Sequence, residues 1–103
     1  MRVGYSILRE INRENFSPSA KDYGITDREF ENFIFFMENK ELVERVLRVN
    51  DEFSIKVARL TDNGKMFLEE MKQYEETYPI GRKKLIEWVQ IEREMYSNKE
   101  ERN

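Results

Sequence analysis

The chain has 103 residues, enough for one domain with a single modest core. Hydrophobic residues make up 39% and aromatic residues 13%, so the composition predicts a folded chain although 38% of the residues are charged. The sequence contains no cysteine and no histidine, which excludes disulfides, thiolate chemistry and the commonest general base and metal ligand. With 18 basic and 21 acidic residues the net charge is −3, so any nucleic-acid binding has to come from a local basic patch.

The sequence gives no sign of a membrane or export segment. Its apolar runs fall short of the roughly eighteen residues that a membrane-spanning helix needs. The first residues, "MRVGYSILREINRENF", carry charged and polar side chains where a signal peptide has its apolar core. We therefore expect a cytoplasmic protein that does not bind membranes.

Three helices are predicted in the first part of the chain. Apolar residues recur on one face of a helix over residues 2–13: Val3, Ile7, Leu8 and Ile11. The stretch "SAKDYG" is long enough for one short helix that ends at Gly24. Thr26 with Glu29 three residues later forms a capping box, which predicts the start of a third helix over "DREFENFIFFMEN".

The periodicity changes after this third helix. The segments "LVERVLRV" and "FSIKVARL" are rich in β-branched residues and flank the turn sequence "NDE", which predicts a hairpin over residues 42–60. Thr61 is the predicted N-cap of a helix that continues to Tyr78, and a last helix follows Pro79 and Gly81. The predicted fold is α+β and mostly α: a winged helix-turn-helix of three helices and a two-stranded wing, with two further C-terminal helices. We assign residues 1–78 to the winged-helix domain and 79–103 to a C-terminal helix for packing or dimerisation, with a frayed end.

Several motifs resemble known winged-helix families. "MENKELVERV" followed by "VARLTDNGKMFLEEM" is similar to the recognition-helix end, strand and returning "L-T-x-x-G" of MarR-type and PadR-type regulators. "ILREIN", "KDYGIT" and "FENFIFFMENKEL" resemble the small YjcQ-like winged-helix family of bacterial and prophage proteins more closely. The resemblance covers residues 3 to 72 and implies a winged-helix fold. It does not settle a function, because one fold hosts many functions.

The third helix is acidic, but its outward face is not. At about 100° per residue, Phe30, Phe33, Ile34 and Met37 point to the core, whereas Arg28, Asn32, Phe35 and Asn39 form an outward ridge. Arginine, asparagine and apolar side chains can read guanine, adenine and the thymine methyl in a major groove. Basic residues of the short helix and wing are candidates for phosphate contacts. The predicted contacts to double-stranded DNA are Lys21, Thr26, Arg28, Asn32, Phe35, Asn39, Arg45, Arg48 and Lys56.

Two functions remain open at this point. The first is a sequence-selective DNA-binding protein, a small bacterial or prophage transcriptional regulator that acts as a homodimer. The second is a protein-interaction module without DNA reading, for example an adaptor or inhibitor of a host nucleic-acid machine, which uses Phe35 and the acidic flanks. Asp51 and Glu52 at the wing tip oppose insertion into a minor groove. We expect neither an enzyme nor a cofactor or metal, because paired acids such as Glu69-Glu70 point about 100° apart on a helix.

The last helix is rich in large apolar residues. The stripe is wider than one small core is expected to cover, so we predict a two-fold homodimer built on residues 81–96, helped by the helix over 61–78. The alternative is that this helix folds back on the first helix of its own chain. The predicted interface residues are Leu85, Trp88, Val89, Ile91, Met95 and Tyr96.

Overall fold

The computed structural model describes residues 2–92 of the chain. The fold is α+β and mostly helical, with two small antiparallel sheets. The first helix, α1, spans Arg2–Arg13, as the apolar spacing predicts. Its inner face is not purely apolar, since Ser6 and Glu10 are buried along with the aliphatic residues.

The short helix α2 and the longer helix α3 begin and end close to the predicted residues. Helix α2 spans Ala20–Tyr23 and ends at Gly24, whose φ of 66° lies in the left-handed region that favours glycine. Helix α3 spans Asp27–Asn39. Thr26 Oγ1 accepts a hydrogen bond from the Glu29 amide at 3.1 Å, and the Thr26 amide donates to Glu29 Oε1 at 3.0 Å. The predicted capping box is therefore confirmed.

The predicted strand pairing is confirmed, but the hairpin is interrupted. Its four strands are Val43–Glu44 (β1), Leu47–Val49 (β2), Glu52–Ser54 (β3) and Arg59–Leu60 (β4). Strand β1 pairs with β4 and β2 with β3, both antiparallel. Asn50 and Asp51 link β2 to β3 with φ values of 51° and 66°, the positive angles of a type I′ turn. Arg45, with a φ of 64°, separates the two ladders, so the expectation of one continuous strand pair is wrong. We call residues 43–60 the hairpin.

The segment over 61–78, predicted as one helix, is divided into two. Helix α4 spans Asp62–Glu70, and Thr61 caps it as predicted by accepting a hydrogen bond from the Gly64 amide at 3.0 Å. A 3₁₀ helix then spans Lys72–Glu76. Because a 3₁₀ helix has three residues per turn, side chains beyond α4 point in directions that a continued α-helix does not give them.

The glycine of the "L-T-x-x-G" motif lets α4 lie directly on the base of the hairpin. A Cβ atom placed on Gly64 would stand 2.0 Å from the carbonyl oxygen of Leu42, a distance that real Cβ atoms essentially never show. Thr61 ties the same two elements together, since its amide donates to Leu42 O at 3.0 Å and its hydroxyl to Glu41 O at 2.5 Å. The motif therefore fixes how α4 packs on the hairpin.

The last described helix completes the core. A short 3₁₀ turn, Arg82–Lys84, leads into α5, which is helical over residues 85–92. Leu85, Trp88 and Val89 belong to the same buried cluster as the apolar residues of α1, α2, α3, β1 and β4. Helix α5 therefore packs against the core of its own chain.

Candidate functional site on helix α3 and the hairpin

Helix α3 presents the predicted ridge to solvent. Phe30, Ile34 and Met37 are buried and Phe33 is half-buried, as the angular placement predicts. The ridge residues are all exposed: Arg28, Asn32, Phe35 and Asn39. Phe35 keeps 43% of its surface accessible, a large fraction for an aromatic side chain on a folded domain. The faces of α3 follow directly from the helical period.

The hairpin is tied to α3 by one arginine. Arg48 Nη1 and Nη2 donate to the two carboxylate oxygens of Glu38 at 3.1 and 2.5 Å. The guanidinium also lies over the ring of Phe35, 4.7 Å from its centroid. These hydrogen bonds raise the pKa of Arg48 above its ordinary value. Because Glu38 balances its charge, Arg48 contributes less to phosphate attraction than the sequence suggested.

The remaining predicted contacts are exposed but do not all lie together. Lys21, Arg45 and Lys56 have exposed side chains, and Thr26 uses its hydroxyl in the helix cap. Arg45 and Lys56 line a common cleft of about 460 Å³ between the hairpin and the end of α1, where no residue of α3 contributes. The structure thus joins Arg48 to the ridge and groups Arg45 with Lys56 on a neighbouring surface.

A second exposed aromatic residue of α3, Phe36, was missed from the sequence. Phe36 is exposed to the same extent as Phe35, at 43%, and lines a shallow cleft of about 390 Å³ with Glu29, Asn32 and Phe33. Phe33 and Phe36 are three residues apart and therefore share one side of the helix. That spacing is the signal that predicts such a cleft. Helix α3 consequently carries a polar ridge and, beside it, an apolar cleft.

Strand β2 of the hairpin also exposes apolar side chains. Leu47 and Val49 are both exposed, whereas Arg48 between them points to α3, because side chains alternate along a strand. On β3, Phe53 stacks at 6.0 Å on Phe30 of α3. The hairpin therefore packs its Arg48 and Phe53 side on α3 and leaves its other side to solvent, with exposed acids at the tip as predicted.

The residues predicted for a dimer interface lie mostly inside the chain. Leu85, Trp88 and Val89 are buried, and Trp88 retains only 5% of its surface. Arg2 Nη1 donates to the Trp88 carbonyl at 2.7 Å, and the guanidinium lies 5.0 Å from the indole centroid. The expectation that Trp88 lacks cover in its own chain is therefore wrong. Ile91 is 51% exposed as predicted, and Met95 and Tyr96 lie outside the described residues.

A buried polar network links α1 to α2 and to the segment that precedes α5. Ser6 Oγ is 2.9 Å from the Tyr23 hydroxyl and 2.8 Å from the Tyr78 hydroxyl. Tyr78 donates in turn to Glu10 Oε2 at 2.6 Å. Burial, and next the hydrogen bond to Glu10, raise the pKa of Tyr78. The network was not predicted, although Glu10 lies within the apolar stripe of α1, between Ile7 and Ile11.

Within residues 2–92, no helix is both long and apolar enough to cross a bilayer, and no three acidic side chains come together as a metal site. Comparison with protein-family models, curated proteins and solved structures found no match. The resemblance to YjcQ-like, MarR-type and PadR-type proteins therefore stays a prediction.

Proposed function

We propose that this chain is a winged-helix domain that binds double-stranded DNA with α3 in the major groove and the hairpin as the wing. The element order supports the fold proposal: three helices, a hairpin and a returning helix are the parts of a winged helix-turn-helix. In this arrangement α3 is the recognition helix. The function would be that of a small transcriptional regulator, bacterial or prophage-encoded.

The observation that carries the DNA proposal is the composition of the exposed ridge. Arg28, Asn32 and Asn39 are the residue types that form bidentate contacts to guanine and adenine, and Phe35 suits a thymine methyl. Acids flank this ridge, and Glu38 already balances Arg48. We therefore expect selective binding of modest affinity, in which Lys21, Arg45 and Lys56 provide the phosphate contacts.

The DNA proposal is tested by selection from genomic fragments at low salt, followed by anisotropy titration of the enriched sequence. Arg28→Ala and Asn32→Ala are each expected to cost about 1–3 kcal/mol and to relax base preference. Lys56→Ala is expected to weaken all sequences alike and to flatten the salt dependence. Lys83→Ala, which removes an exposed lysine on the turn before α5, is the matched control and should change neither the affinity for DNA nor the base preference. If selection enriches no sequence, the proposal fails.

The proposed regulator acts as a homodimer, so that two copies of α3 meet two half-sites. With Trp88 covered by its own chain, exposed Ile91 is the described residue that supports this part of the proposal. Sedimentation equilibrium at micromolar concentration tests it. A dimer that Ile91→Glu dissociates supports the arrangement, whereas a species of 12.6 kDa in the wild-type chain excludes it.

A second candidate function is protein recognition through α3. The observation that favours it is the apolar cleft beside Phe33 and Phe36, two residues to which the DNA proposal gives no role. Large exposed aromatic side chains are typical of the centres of protein interfaces. The acids flanking the cleft suit a basic partner segment with an apolar side chain. A partner that wild-type and Arg28→Ala retain, but Phe36→Ala loses, would favour this function over DNA binding.

A further inference from the structure

The cleft between the hairpin and the end of α1 carries three basic side chains. Its volume is about 460 Å³, and Arg45, Lys56 and Arg59 line it from the hairpin. All three side chains are exposed. Within residues 2–92 none of the three forms an ion pair, whereas Arg48 and Arg82 are each bound to a carboxylate. We call this space the hairpin–α1 cleft.

The three cations of the hairpin–α1 cleft suit a phosphate group. Like charges that share one cleft repel each other, and a bound anion relieves this repulsion. The arginine guanidinium offers paired donors that match phosphate oxygens, and lysine adds a compact charge. A phosphate monoester carries about two negative charges at neutral pH and has three acceptor oxygens. It therefore fits three cations better than a carboxylate, which carries a single charge.

One acid lines the same cleft from a position that is unfavourable for its own helix. Glu14 follows the last residue of α1 and has a φ of 55°, in the left-handed region that favours glycine. Its negative charge also lies at the C-terminal end of α1, where the helix dipole favours a cation. The side chain is exposed and has no ion-pair partner in the described part of the chain. Local stability does not explain a glutamate here, whereas a carboxylate can accept hydrogen bonds from the hydroxyls of a ribose.

The remaining surface of the hairpin–α1 cleft is largely apolar. Ile11 and Ile55 are core residues that also line the cleft, and Phe16 adds a half-buried aromatic ring. An aromatic ring provides a surface on which any nucleobase can stack. Glu10 lines the cleft as well, but its side chain is only 2% exposed, so we assign it no contact with a ligand.

We propose that the hairpin–α1 cleft binds a ribonucleoside 5′-monophosphate. The phosphate accepts hydrogen bonds from Arg45, Lys56 and Arg59. The ribose hydroxyls donate to the carboxylate of Glu14, and the base packs on Phe16. The cleft volume lies in the range of small-molecule sites. The proposal does not rest on DNA binding, although a nucleotide bound here would occupy two of the proposed phosphate contacts to DNA.

Isothermal titration calorimetry of the full chain with AMP, GMP, CMP and UMP at low salt tests the proposal. We expect at least one of the four to bind with saturation. The corresponding nucleoside, which lacks the phosphate, should not bind, and inorganic phosphate and the 2′,3′-dideoxynucleotide should both bind more weakly. If none of the four nucleotides binds, or if inorganic phosphate binds as well as the best of them, the proposal is overturned.

A dinucleoside monophosphate separates a free nucleotide from a nucleic-acid backbone. Its phosphate is a diester with a single negative charge, so we expect it to bind more weakly than the best nucleotide. Binding as tight as that of the nucleotide would assign the cleft to the phosphates of a nucleic-acid chain and would overturn the proposal.

Two variants locate the nucleotide within the cleft. Arg59→Ala removes an exposed cation to which the DNA proposal gives no role, and it is expected to weaken nucleotide binding about tenfold because a hydrogen bond to a charged group is lost. Lys56→Ala serves in its place if Arg59→Ala does not fold. Glu14→Gly relieves the positive φ, so it should raise Tm and yet weaken nucleotide binding.

Arg28→Ala, which removes an exposed arginine from α3, is the matched control and should bind the nucleotide as the wild type does. Because the same variant is expected to lose affinity for DNA, the two proposals can fail separately. Unchanged nucleotide binding in Arg59→Ala overturns the phosphate site, and unchanged binding in Glu14→Gly overturns the ribose contact.

Discussion

The two sides of this molecule use aromatic residues in opposite ways. On the α1–α5 side, Tyr74 and Tyr78 pack edge-on against Trp88, with ring centroids 6.1 and 5.0 Å apart. On the α3 side, Phe35 and Phe36 face solvent. Buried rings with hydrogen-bonded hydroxyls stabilise a domain, whereas exposed rings are typical of surfaces that bind something. The comparison teaches that the cluster around Trp88 uses its rings for internal packing, whereas the outer face of α3 leaves two rings free for contacts outside the domain.

The largest change in the free energy of unfolding is expected when the indole of Trp88 is removed. Trp88→Ala removes a ring that contacts Tyr78, lies near Arg2 and donates from Nε1 to Thr77 Oγ1 at 3.0 Å. We expect it to lower the free energy of unfolding by about 3–5 kcal/mol. Ile91→Ala, three residues further along α5, is the control and should cost far less in the monomer. Urea unfolding measures both, and an equally large loss for Ile91→Ala would place that residue in an interface.

The next largest effect is expected where α4 crosses the base of the hairpin. Gly64→Ala would put a Cβ atom 2.0 Å from Leu42 O, so the helix or the hairpin has to move. We expect a loss of about 1–3 kcal/mol in the free energy of unfolding. A Cβ atom placed on Gly81 would meet no described atom within 4 Å, so Gly81→Ala should change stability by less than about 1 kcal/mol. Equal losses in the two variants would contradict the close approach.

The helical parts of this division were predictable from the sequence because their signals are local. The capping box at Thr26 and the angular spacing around Phe30 placed α3 and its ridge correctly. The same spacing rule, applied to polar residues, also points to Glu10, which lies in the apolar stripe of α1. Of its two hydrogen-bond partners, Arg9 is its neighbour in sequence, but Tyr78 was not predictable because it is distant along the chain.

The sequence-based predictions were wrong where tertiary contacts determine the backbone conformation or cover a side chain. Nothing in the local sequence marks Arg45 as the residue with a φ of 64° that divides the strands. No glycine or proline marks the change to a 3₁₀ helix at Lys72, which brings Tyr74 within 5.5 Å of Tyr5 between ring centroids. The cover over Trp88 was missed for the same reason, because Arg2 and Thr77 reach it from other parts of the chain.

The polar contacts of the α1 side predict an acid-sensitive contribution. Hydrogen bonds from Arg9 hold the pKa of Glu75 below its ordinary value of 4.5, against the opposing effect of burial. A lowered folded pKa stabilises the protein above the unfolded pKa, and this contribution is lost as pH falls through the folded value. With solvent screening of the half-exposed carboxylate, we expect Glu75→Gln to cost about 1 kcal/mol at pH 7.

Urea unfolding between pH 7 and pH 3 checks this prediction. The gap in free energy of unfolding between the wild type and Glu75→Gln should narrow as pH falls below 4.5, because the wild-type carboxylate becomes protonated. Glu76→Gln, an exposed acid beside it, should change stability by less than about 0.5 kcal/mol at neutral pH. A gap that stays constant down to pH 3 would contradict the role given to Arg9.

The smallest effect on global stability is expected at the link between the hairpin and α3. Arg48→Ala removes the ion pair with Glu38 and the contact with Phe35, but both charged side chains are partly exposed, at 38% and 27%. We expect a loss of only about 0.2–1 kcal/mol in the free energy of unfolding. The hairpin nevertheless loses one of its ties to α3, so amide hydrogen exchange in β2 and β3 should accelerate while exchange in α1 does not. Arg28→Ala, which removes an exposed guanidinium from α3 without touching Glu38, should leave hairpin exchange unchanged. Equal acceleration in α1 would show that the two sides unfold as one unit, and the division between them would then be wrong.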